Sequence, residues 1–223
     1  MDRITWLRDM RRECQAHYDR SGPRYDEEGG VYSNTTHQQF LGYFSSLLPQ
    51  RSRILDAACG TGRYLSFLLE QEHSIIGIDQ SQGMLARAKA TFPGVHFENI
   101  GLQDIVYREV FDGAICVDAM ENVCPEDWPI VLGNFHRALK SHGYLYFTAE
   151  TIEHADENDL KQAFDGARHA GLPVIYGEWL DEEIYHYHPT TQQVVEWAQQ
   201  AGFEIVSETC GEIYYHYILV RKV

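Results

Sequence analysis

Residues 54–64 read ILDAACGTGRY, and this stretch decides the fold. An apolar strand runs into Asp56, and Gly60 and Gly62 follow just before a helix can begin. Glycine lets the backbone pass close to a ligand, so the strand–turn–helix unit predicts a ligand on the turn. A dinucleotide fingerprint would need glycine or alanine where Leu65 stands, and a carboxylate at Asp56 would disfavour a pyrophosphate. The turn therefore favours a ligand with an amine over one with a phosphate.

The pattern on either side of this turn predicts an α/β fold. Short apolar runs alternate with amphipathic stretches between residues 51 and 150, which is typical of βαβ units around a parallel sheet. The chain ends with two strand-like runs separated by Cys210-Gly211-Glu212, a hairpin signal. We expect a Rossmann-like, doubly wound, seven-stranded sheet, mostly parallel with a C-terminal antiparallel hairpin and helices on both faces. Strands are predicted at 54–57, 74–78, 95–99, 111–117, 144–149, 203–209 and 213–221, and helices at 63–71, 84–92, 128–139 and 190–201.

Changes in sequence texture divide the chain into four segments. Residues 1–50 carry two helical patterns and predict an N-terminal helical cover, while residues 51–150 form the ligand-binding core. Residues 151–189 are polar and acidic at first, and predict an insertion that is either a lid or a solvated loop. Residues 190–223 supply a helix and the hairpin that completes the sheet.

Composition excludes several classes of function. The chain has 223 residues, and no apolar run approaches the roughly 18 residues that a membrane span needs. Lys and Arg total 18 against 33 Asp and Glu, and the resulting charge of −15 disfavours nucleic-acid and membrane-surface partners. The five cysteines form no Cys-x-x-Cys pair and the first residues lack a secretory apolar stretch, so we expect a cytoplasmic protein with reduced thiols.

The order of the motifs resembles class I S-adenosylmethionine-dependent methyltransferases. Asp56, Gly60 and Gly62 match the acid-x-x-x-Gly-x-Gly form of that family's first motif. Asp79 follows at the end of the next apolar run, where the family places an acid on the ribose hydroxyls, and residues 81–85 read SQGML, a frequent family sequence. The resemblance covers roughly residues 15–221 and implies S-adenosylmethionine as the cofactor, with S-adenosylhomocysteine as its product.

The resemblance also implies roles for further residues around the cofactor. Met84 would pack against adenine, with plain helix core as the alternative. Leu102 and Gln103 lie in the adenine loop, where Gly101 departs from the acid that many relatives carry. Arg63 would hold the methionine carboxylate, or else be a solvent-exposed helix arginine. The remaining cofactor contacts that we predict are Tyr18, Tyr32, Ala57, Gln80 and Asp118, and Tyr25 belongs to the same group of covering tyrosines.

Catalytic candidates are acids and histidines near the expected carboxyl edge of the sheet. We predict Glu121, Glu150 and His186 as catalytic or acceptor contacts, with His17 and His154 as further candidate bases. Each acid could instead cap a helix or pair with a cation. Alternation along a strand would place His186 and His188 on one side, but the sequence identifies no third ligand, so we predict no metal.

These observations predict a methyltransferase that moves a methyl group in line to an oxygen or nitrogen of a small molecule. A neutral or cationic acceptor suits the acidic chain best, and a homodimer is compatible with the sequence. Three alternatives stay open: a module that binds S-adenosylmethionine without transfer, a methyltransferase of a peptide or protein amine, and a nicotinamide-dependent dehydrogenase. Leu65 and Asp56 weigh against the last of these.

Overall fold

The seven-stranded sheet that the sequence predicts is present. The computed structural model describes residues 2–26, 34–153, 155–181, 184–211 and 215–223. The strands are β1 Arg53–Ala57, β2 Ser74–Asp79, β3 His96–Asn99, β4 Phe111–Cys116, β5 Leu139–Glu150, β6 Glu178–Asp181, β7 Ile184–Tyr187, β8 Phe203–Cys210 and β9 Tyr215–Lys222. Strands β6 and β7 form a separate antiparallel pair, and the other seven form the main sheet.

Helices surround this sheet. They are α1 Arg3–Ser21, α2 Thr35–Leu47, α3 Leu65–Glu70, α4 Gln82–Thr91, α5 Trp128–Ala138, α6 Glu157–His169 and α7 Thr191–Gln200, with short 3₁₀ turns at Gly22–Arg24, Leu102–Asp104 and Met120–Asn122. Helix α5 ends one residue earlier than predicted because Leu139 already pairs with Phe111 as the first residue of β5.

The strand order places a ligand crevice at the centre of the sheet. The order is β3-β2-β1-β4-β5-β9-β8, with β1 to β5 parallel and β9 antiparallel to both of its neighbours. The predicted fold class is therefore confirmed. The chain moves outward from β1 to β3 and then returns to β4 on the other side of β1. Ligands bind at such a switch point, beyond the carboxyl ends of the strands.

Alternating side chains of the strands feed two hydrophobic layers. In β1, Ile54 joins the layer that contains Phe44 of α2, whereas Leu55 joins the layer that contains Trp128 of α5. All four side chains are fully or almost fully buried. Because both faces of a parallel sheet must be covered, this arrangement holds the turn after β1 on a rigid base.

The predicted insertion is more ordered in the structure than the sequence suggests. It contains α6, which begins where the Asp156 side chain accepts from the backbone N–H groups of Asn158 and Asp159, and the β6–β7 pair. Only Leu160 of α6 is fully buried, and Phe164 and Ala167 on the same face are partly buried against the core, so the apolar face of this helix is narrow. The fully buried carboxylate of Glu178 in β6 binds the Arg3 guanidinium at 2.6 and 2.9 Å, which ties the insertion to α1.

Helix α1 docks on α4 through backbone contact. The Asp19 carboxylate accepts from the Ser81 hydroxyl at 2.8 Å and from the Gly83 N–H at 3.0 Å. A Cβ at Gly83 would lie 2.3 Å from the Asp19 carbonyl oxygen, and a Cβ at Gly22 would lie 2.5 Å from the Gly83 carbonyl carbon. Glycine is therefore required on both sides of this contact.

Three further observations concern the predicted organisation. Within the described residues, no helix combines the length and apolar character needed to cross a bilayer. All five cysteines lie in described parts of the chain and are free thiols. The division into segments 1–50, 51–150, 151–189 and 190–223 stays a prediction, and residues 212–214 of the expected hairpin lie outside the described residues.

Candidate functional site

A cleft of about 960 Å³, which includes space open to solvent, lies at the carboxyl ends of β1, β2 and β4. Nine of the thirteen residues predicted to contact the cofactor line this cleft: Tyr18, Gly60, Arg63, Asp79, Gln80, Met84, Leu102, Gln103 and Asp118. Residues from α1, the turn after β1, the end of β2, the adenine loop and the end of β4 therefore meet at one place.

The two glycines of the turn serve different purposes. Both have positive φ, 55° at Gly60 and 92° at Gly62, a conformation that side chains disfavour. A Cβ at Gly60 would meet no atom within 4 Å, so the cleft lies open beside this backbone. A Cβ at Gly62 would come within 2.8 Å of Leu65 Cδ1 and 2.9 Å of Phe92 Cε2. Gly60 leaves room for a ligand, whereas Gly62 allows α3 to pack.

Asp79 is held in place by backbone donors. Its Oδ2 accepts from the N–H of Gly60 at 2.9 Å, and its Oδ1 accepts from the N–H of Ser81 at 2.8 Å. Burial raises the pKa of this carboxyl, while the two N–H donors act in the opposite direction. Since a carboxylate oxygen has more than one lone-pair direction, both oxygens can still accept from a ligand hydroxyl in the cleft.

Asp56 does not reach the cleft. The side chain is 2% exposed, lies beneath the turn, and its Oδ2 has no hydrogen-bond partner within the described structure. Burial, together with the charge of Asp79, raises the pKa of Asp56 to about 8. The argument that an anion at Asp56 selects a cationic ligand therefore loses its basis. Ala57 and Gly62 also lie outside the cleft lining, and Tyr32 falls outside the described residues.

Cationic, acidic and aromatic groups meet at one end of the cleft. Arg63 Nη1 lies 3.3 Å from Oδ2 of Asp118, which also accepts from the Tyr64 hydroxyl at 3.0 Å. The Arg63 guanidinium lies 5.7 Å from the centre of the Tyr25 ring, a distance at which a cation and an aromatic face attract. The Asp118 N–H donates to the Thr148 hydroxyl at 2.9 Å, which fixes this residue at its positive φ of 54°.

The other end of the cleft is apolar and built from the predicted adenine loop. Met84 is buried and its N–H donates to the Ser81 hydroxyl, the N-cap of α4. The buried side chain of Asn134 in α5 donates to the backbone carbonyls of Leu102 at 3.0 Å and Gln103 at 2.9 Å. The loop thus has a fixed shape, with the Leu102 side chain facing the cleft.

The predicted catalytic residues lie near one another next to Asp118. Glu121 is 7% exposed, and its Oε2 has no hydrogen-bond partner within the described chain. Burial and the neighbouring charges of Glu150 and Asp118 raise the pKa of Glu121 well above its ordinary value. Burial lowers the pKa of His186, which also lies within the field of Glu150. Neither the Glu121 nor the His186 side chain lines the cleft. Both residues therefore lie behind the side chains that form its wall.

The other two candidate bases do not join this cluster. The His17 ring packs edge-on against Tyr18, 5.4 Å between centroids, and the residue is absent from the cleft lining. His154 falls outside the described residues.

The structure brings a third candidate ligand to His186 and His188, which the sequence alone does not identify. Glu150, at the end of β5, brings a carboxylate oxygen to these two histidines, and the three candidate ligand atoms all lie within 4.8 Å of one another. Glu150 and His186 are about 36 residues apart in sequence, so only the folded chain reveals the group.

Several residues of the cleft were not predicted. They are Arg11, Cys14, Cys59, Thr61, Tyr64, Ile100 and Val117, among others. Arg11, Cys14 and Tyr18 are spaced as one face of α1, and this helical spacing could have identified the first two. Ile100 and Val117 directly follow β3 and β4, where residues face the carboxyl edge.

The fold and the cleft define a class of protein: a doubly wound α/β domain with a ligand site at its switch point, built on a Gly-x-Gly turn and an acid after β2. Residues 54–143 match the family model described as a methyltransferase domain.

Relatives and solved structures point to the same family. A malonyl-[acyl-carrier protein] O-methyltransferase of Hamiltonella defensa subsp. Acyrthosiphon pisum is 30% identical over 117 residues, 52% of this chain and 43% of that protein. A protein of the same description from Serratia marcescens is 27% identical over 162 residues, covering 70% and 61% respectively. The chain thus spans roughly half the length of these curated relatives.

A solved S-adenosylmethionine-dependent methyltransferase from Methanosarcina mazei aligns with a TM-score of 0.71 at 18% identity, covering 82% of this chain and 97% of that one. Residues 54–143 thus match a methyltransferase domain, and the chain has the fold of a solved S-adenosylmethionine-dependent methyltransferase, in agreement with the resemblance that its motifs carry.

Proposed function

We propose that this protein is an S-adenosylmethionine-dependent methyltransferase that acts on an oxygen or nitrogen of a small molecule. The observation that carries the proposal is the convergence of Gly60, Arg63, Asp79 and Met84 on one cleft at the switch point of the sheet. These residues come from two βα connections, the turn between β1 and α3 and the junction of β2 with α4.

The side chains that line the cleft fit the chemical groups of S-adenosylmethionine. Asp79 offers carboxylate oxygens to two adjacent ribose hydroxyls, and Arg63 offers a guanidinium to a carboxylate. Met84 and Leu102 supply apolar surface for a base. The open space beside the Gly60 backbone is where a ligand would pass, since a side chain there would fill it.

The methionine end of the cleft supplies the electrostatics. Tyr25 and Tyr64 present aromatic faces and Asp118 a carboxylate around a region where a sulfonium would lie. The hydrogen bond from Tyr64 and the contact with Arg63 orient the Asp118 side chain. Partial burial of these groups strengthens their field and keeps water out.

Bound S-adenosylmethionine supplies a methyl group on a positively charged sulfur, which is already electrophilic. The protein then has to align the acceptor and, for a hydroxyl, remove a proton. We assign that task to Glu121, Glu150 and His186, which lie together beside Asp118. Whichever of these side chains keeps a free lone pair would accept the proton directly. A neutral amine acceptor would need alignment alone.

The acceptor, the cytoplasmic location and a homodimer belong to the same proposal. Five free cysteines and a charge of −15 support a reducing compartment and a neutral or cationic acceptor. Light scattering after gel filtration would report the mass of the particle in solution, and a mass of one chain would remove the homodimer.

The test has two stages. Titration calorimetry with S-adenosylhomocysteine should show one site per chain. The absence of any binding heat up to about 1 mM ligand would overturn the proposal. Transfer of labelled methyl from S-adenosylmethionine to a panel of small hydroxyls and amines follows. Turnover on a panel member supports the enzyme, whereas binding without turnover on the small-molecule panel and on short peptides favours the non-catalytic module.

A further inference from the structure

A histidine and carboxylate cluster lies at the rim of the cleft. Glu150 is the last residue of β5, His186 lies in β7, and His188 follows β7 directly. Pairing of Trp179 with His186 holds β7 on β6, and the His188 N–H donates to the Gly177 carbonyl at 2.9 Å. The three side chains therefore meet on a fixed framework rather than on a free loop.

No protonation state of His188 satisfies both polar contacts of its Nε2 atom. Its Nε2 lies 2.8 Å from Oε2 of Glu150 and 3.3 Å from the indole N–H of Trp179. If Nε2 carries a proton, this N–H points at the indole N–H, and two donors face each other. If Nε2 carries no proton, its lone pair points at the carboxylate, and two acceptors face each other. A cation bound by Nε2 and Oε2 removes the repulsion between this lone pair and the carboxylate.

The ring nitrogens are available for a ligand. Nδ1 of His186 is buried and has no hydrogen-bond partner in the described residues, so it can face the same ion as Nε2 of His188 and Oε2 of Glu150. His188 is 5% exposed, so these atoms are shielded from water as well. Buried polar atoms without partners are uncommon and call for an explanation, of which a missing ion is one.

We propose that Glu150, His186 and His188 bind one divalent transition-metal ion. Two imidazoles and one carboxylate are the ligand set of catalytic zinc sites that keep a position open for water or substrate. Ligands bound at about 2.0–2.2 Å lie roughly 3 to 3.5 Å apart, so the present 4.8 Å cluster needs only small side-chain shifts. Mg²⁺ and Ca²⁺ prefer oxygen ligands. A site with two imidazoles therefore favours a transition-metal ion over either of them.

The position of the site suggests what the open coordination position does. Asn122, which lines the cleft, donates to the Tyr185 carbonyl at 3.0 Å, immediately before His186. Thr148, which fixes Asp118, lies two residues before Glu150. The ion would therefore stand beside the cleft, where it can bind and orient an acceptor oxygen. This role rests on the proposed function, whereas metal binding itself does not.

The experiment measures Zn²⁺ binding to the tag-free full chain after treatment with a chelator. Calorimetry should show one ion per chain with a dissociation constant below about 1 µM. Glu150→Gln and His186→Ala should each weaken binding at least tenfold. His188 is left unchanged because its burial makes a folding defect expected.

His96→Ala is the matched control. His96 is an exposed histidine 3.1 Å from the Glu98 carboxylate, so it has the same pair of groups without a third ligand. This variant should bind Zn²⁺ like the wild type. Circular dichroism of the metal-free variants checks that each is folded.

Equal Zn²⁺ binding by wild type, Glu150→Gln and His186→Ala would overturn the site, as would absence of binding to the wild type. Titration of S-adenosylhomocysteine on the same samples separates the two proposals. Zn²⁺ binding without nucleoside binding would remove the methyltransferase assignment alone, and the reverse would remove the metal site alone.

Discussion

The backbone N–H of Gly60 donates to Oδ2 of Asp79 at 2.9 Å, so the turn after β1 and the end of β2 are one unit. Asp79→Ala removes the acceptor of this bond and the proposed partner of the ribose hydroxyls. We expect affinity for S-adenosylhomocysteine to fall by about 1 to 3 kcal/mol, roughly 5- to 150-fold. Titration calorimetry on the wild type and Asp79→Ala measures this loss of affinity. Asp165→Asn, on the exposed face of α6, is the control, and unchanged affinity in Asp79→Ala would place the ribose elsewhere.

The two glycines of the turn should fail differently when replaced by alanine. Gly60→Ala should fold with a loss of about 1 to 2 kcal/mol from its positive φ, yet lose most nucleoside affinity because its Cβ enters the cleft. Gly62→Ala should lose more stability, since its Cβ would lie 2.8 Å from Leu65. Urea unfolding and calorimetry on both variants test this. Equal stability losses, or intact binding in Gly60→Ala, would contradict it.

Arg63 should recognise the carboxylate end of the nucleoside and nothing else. Arg63→Ala is expected to weaken S-adenosylhomocysteine by about 1.5 to 3 kcal/mol while changing 5′-methylthioadenosine, which lacks the amino-acid carboxylate, by less than about twofold. Competition calorimetry with the two ligands measures the difference. Arg51→Ala, an exposed arginine between α2 and β1, should leave both affinities as they are. Equal losses of affinity for both ligands would mean that Arg63 maintains the shape of the cleft and does not bind the carboxylate.

Asp56 should make the free energy of unfolding depend on pH. Its pKa is raised from 3.8 to about 8 in the fold, so the unfolded chain loses this proton first as pH rises. The folded state is therefore penalised progressively from about pH 4 to pH 8, and the penalty is constant above that. Asp56→Asn should be more stable than wild type by about 2 kcal/mol at pH 5, rising to roughly 5 kcal/mol at pH 8.

Urea denaturation across that pH range checks the prediction for Asp56. Asp104→Asn, an exposed change in the adenine loop, should leave the wild-type pH profile unaltered. Superimposable profiles for Asp56→Asn and wild type would mean that Asp56 titrates normally in the fold.

The sequence predicted the main sheet because each strand is a short apolar run beside a recognisable turn. The residues of the candidate cleft followed from the resemblance of successive motifs to a known family, as Gly60 and Asp79 show. The insertion was harder to predict: α6 fully buries only Leu160 and is held by one capping aspartate, and β6 is held by the Arg3–Glu178 pair, which joins distant positions. The group formed by Glu150 and His186 depends on the way β7 packs against the end of β5, which no local pattern encodes.

The glycine contact between α1 and α4 has a consequence for how ligands enter the cleft. Because Gly83 and Asp19 meet through backbone atoms, α1 cannot swing away without breaking two hydrogen bonds and parting two main chains. Its amide protons from residue 14 to residue 21 should therefore exchange with solvent as slowly as those of the central strands. A ligand would then enter the cleft without displacement of the first helix, which stays in place as part of the wall.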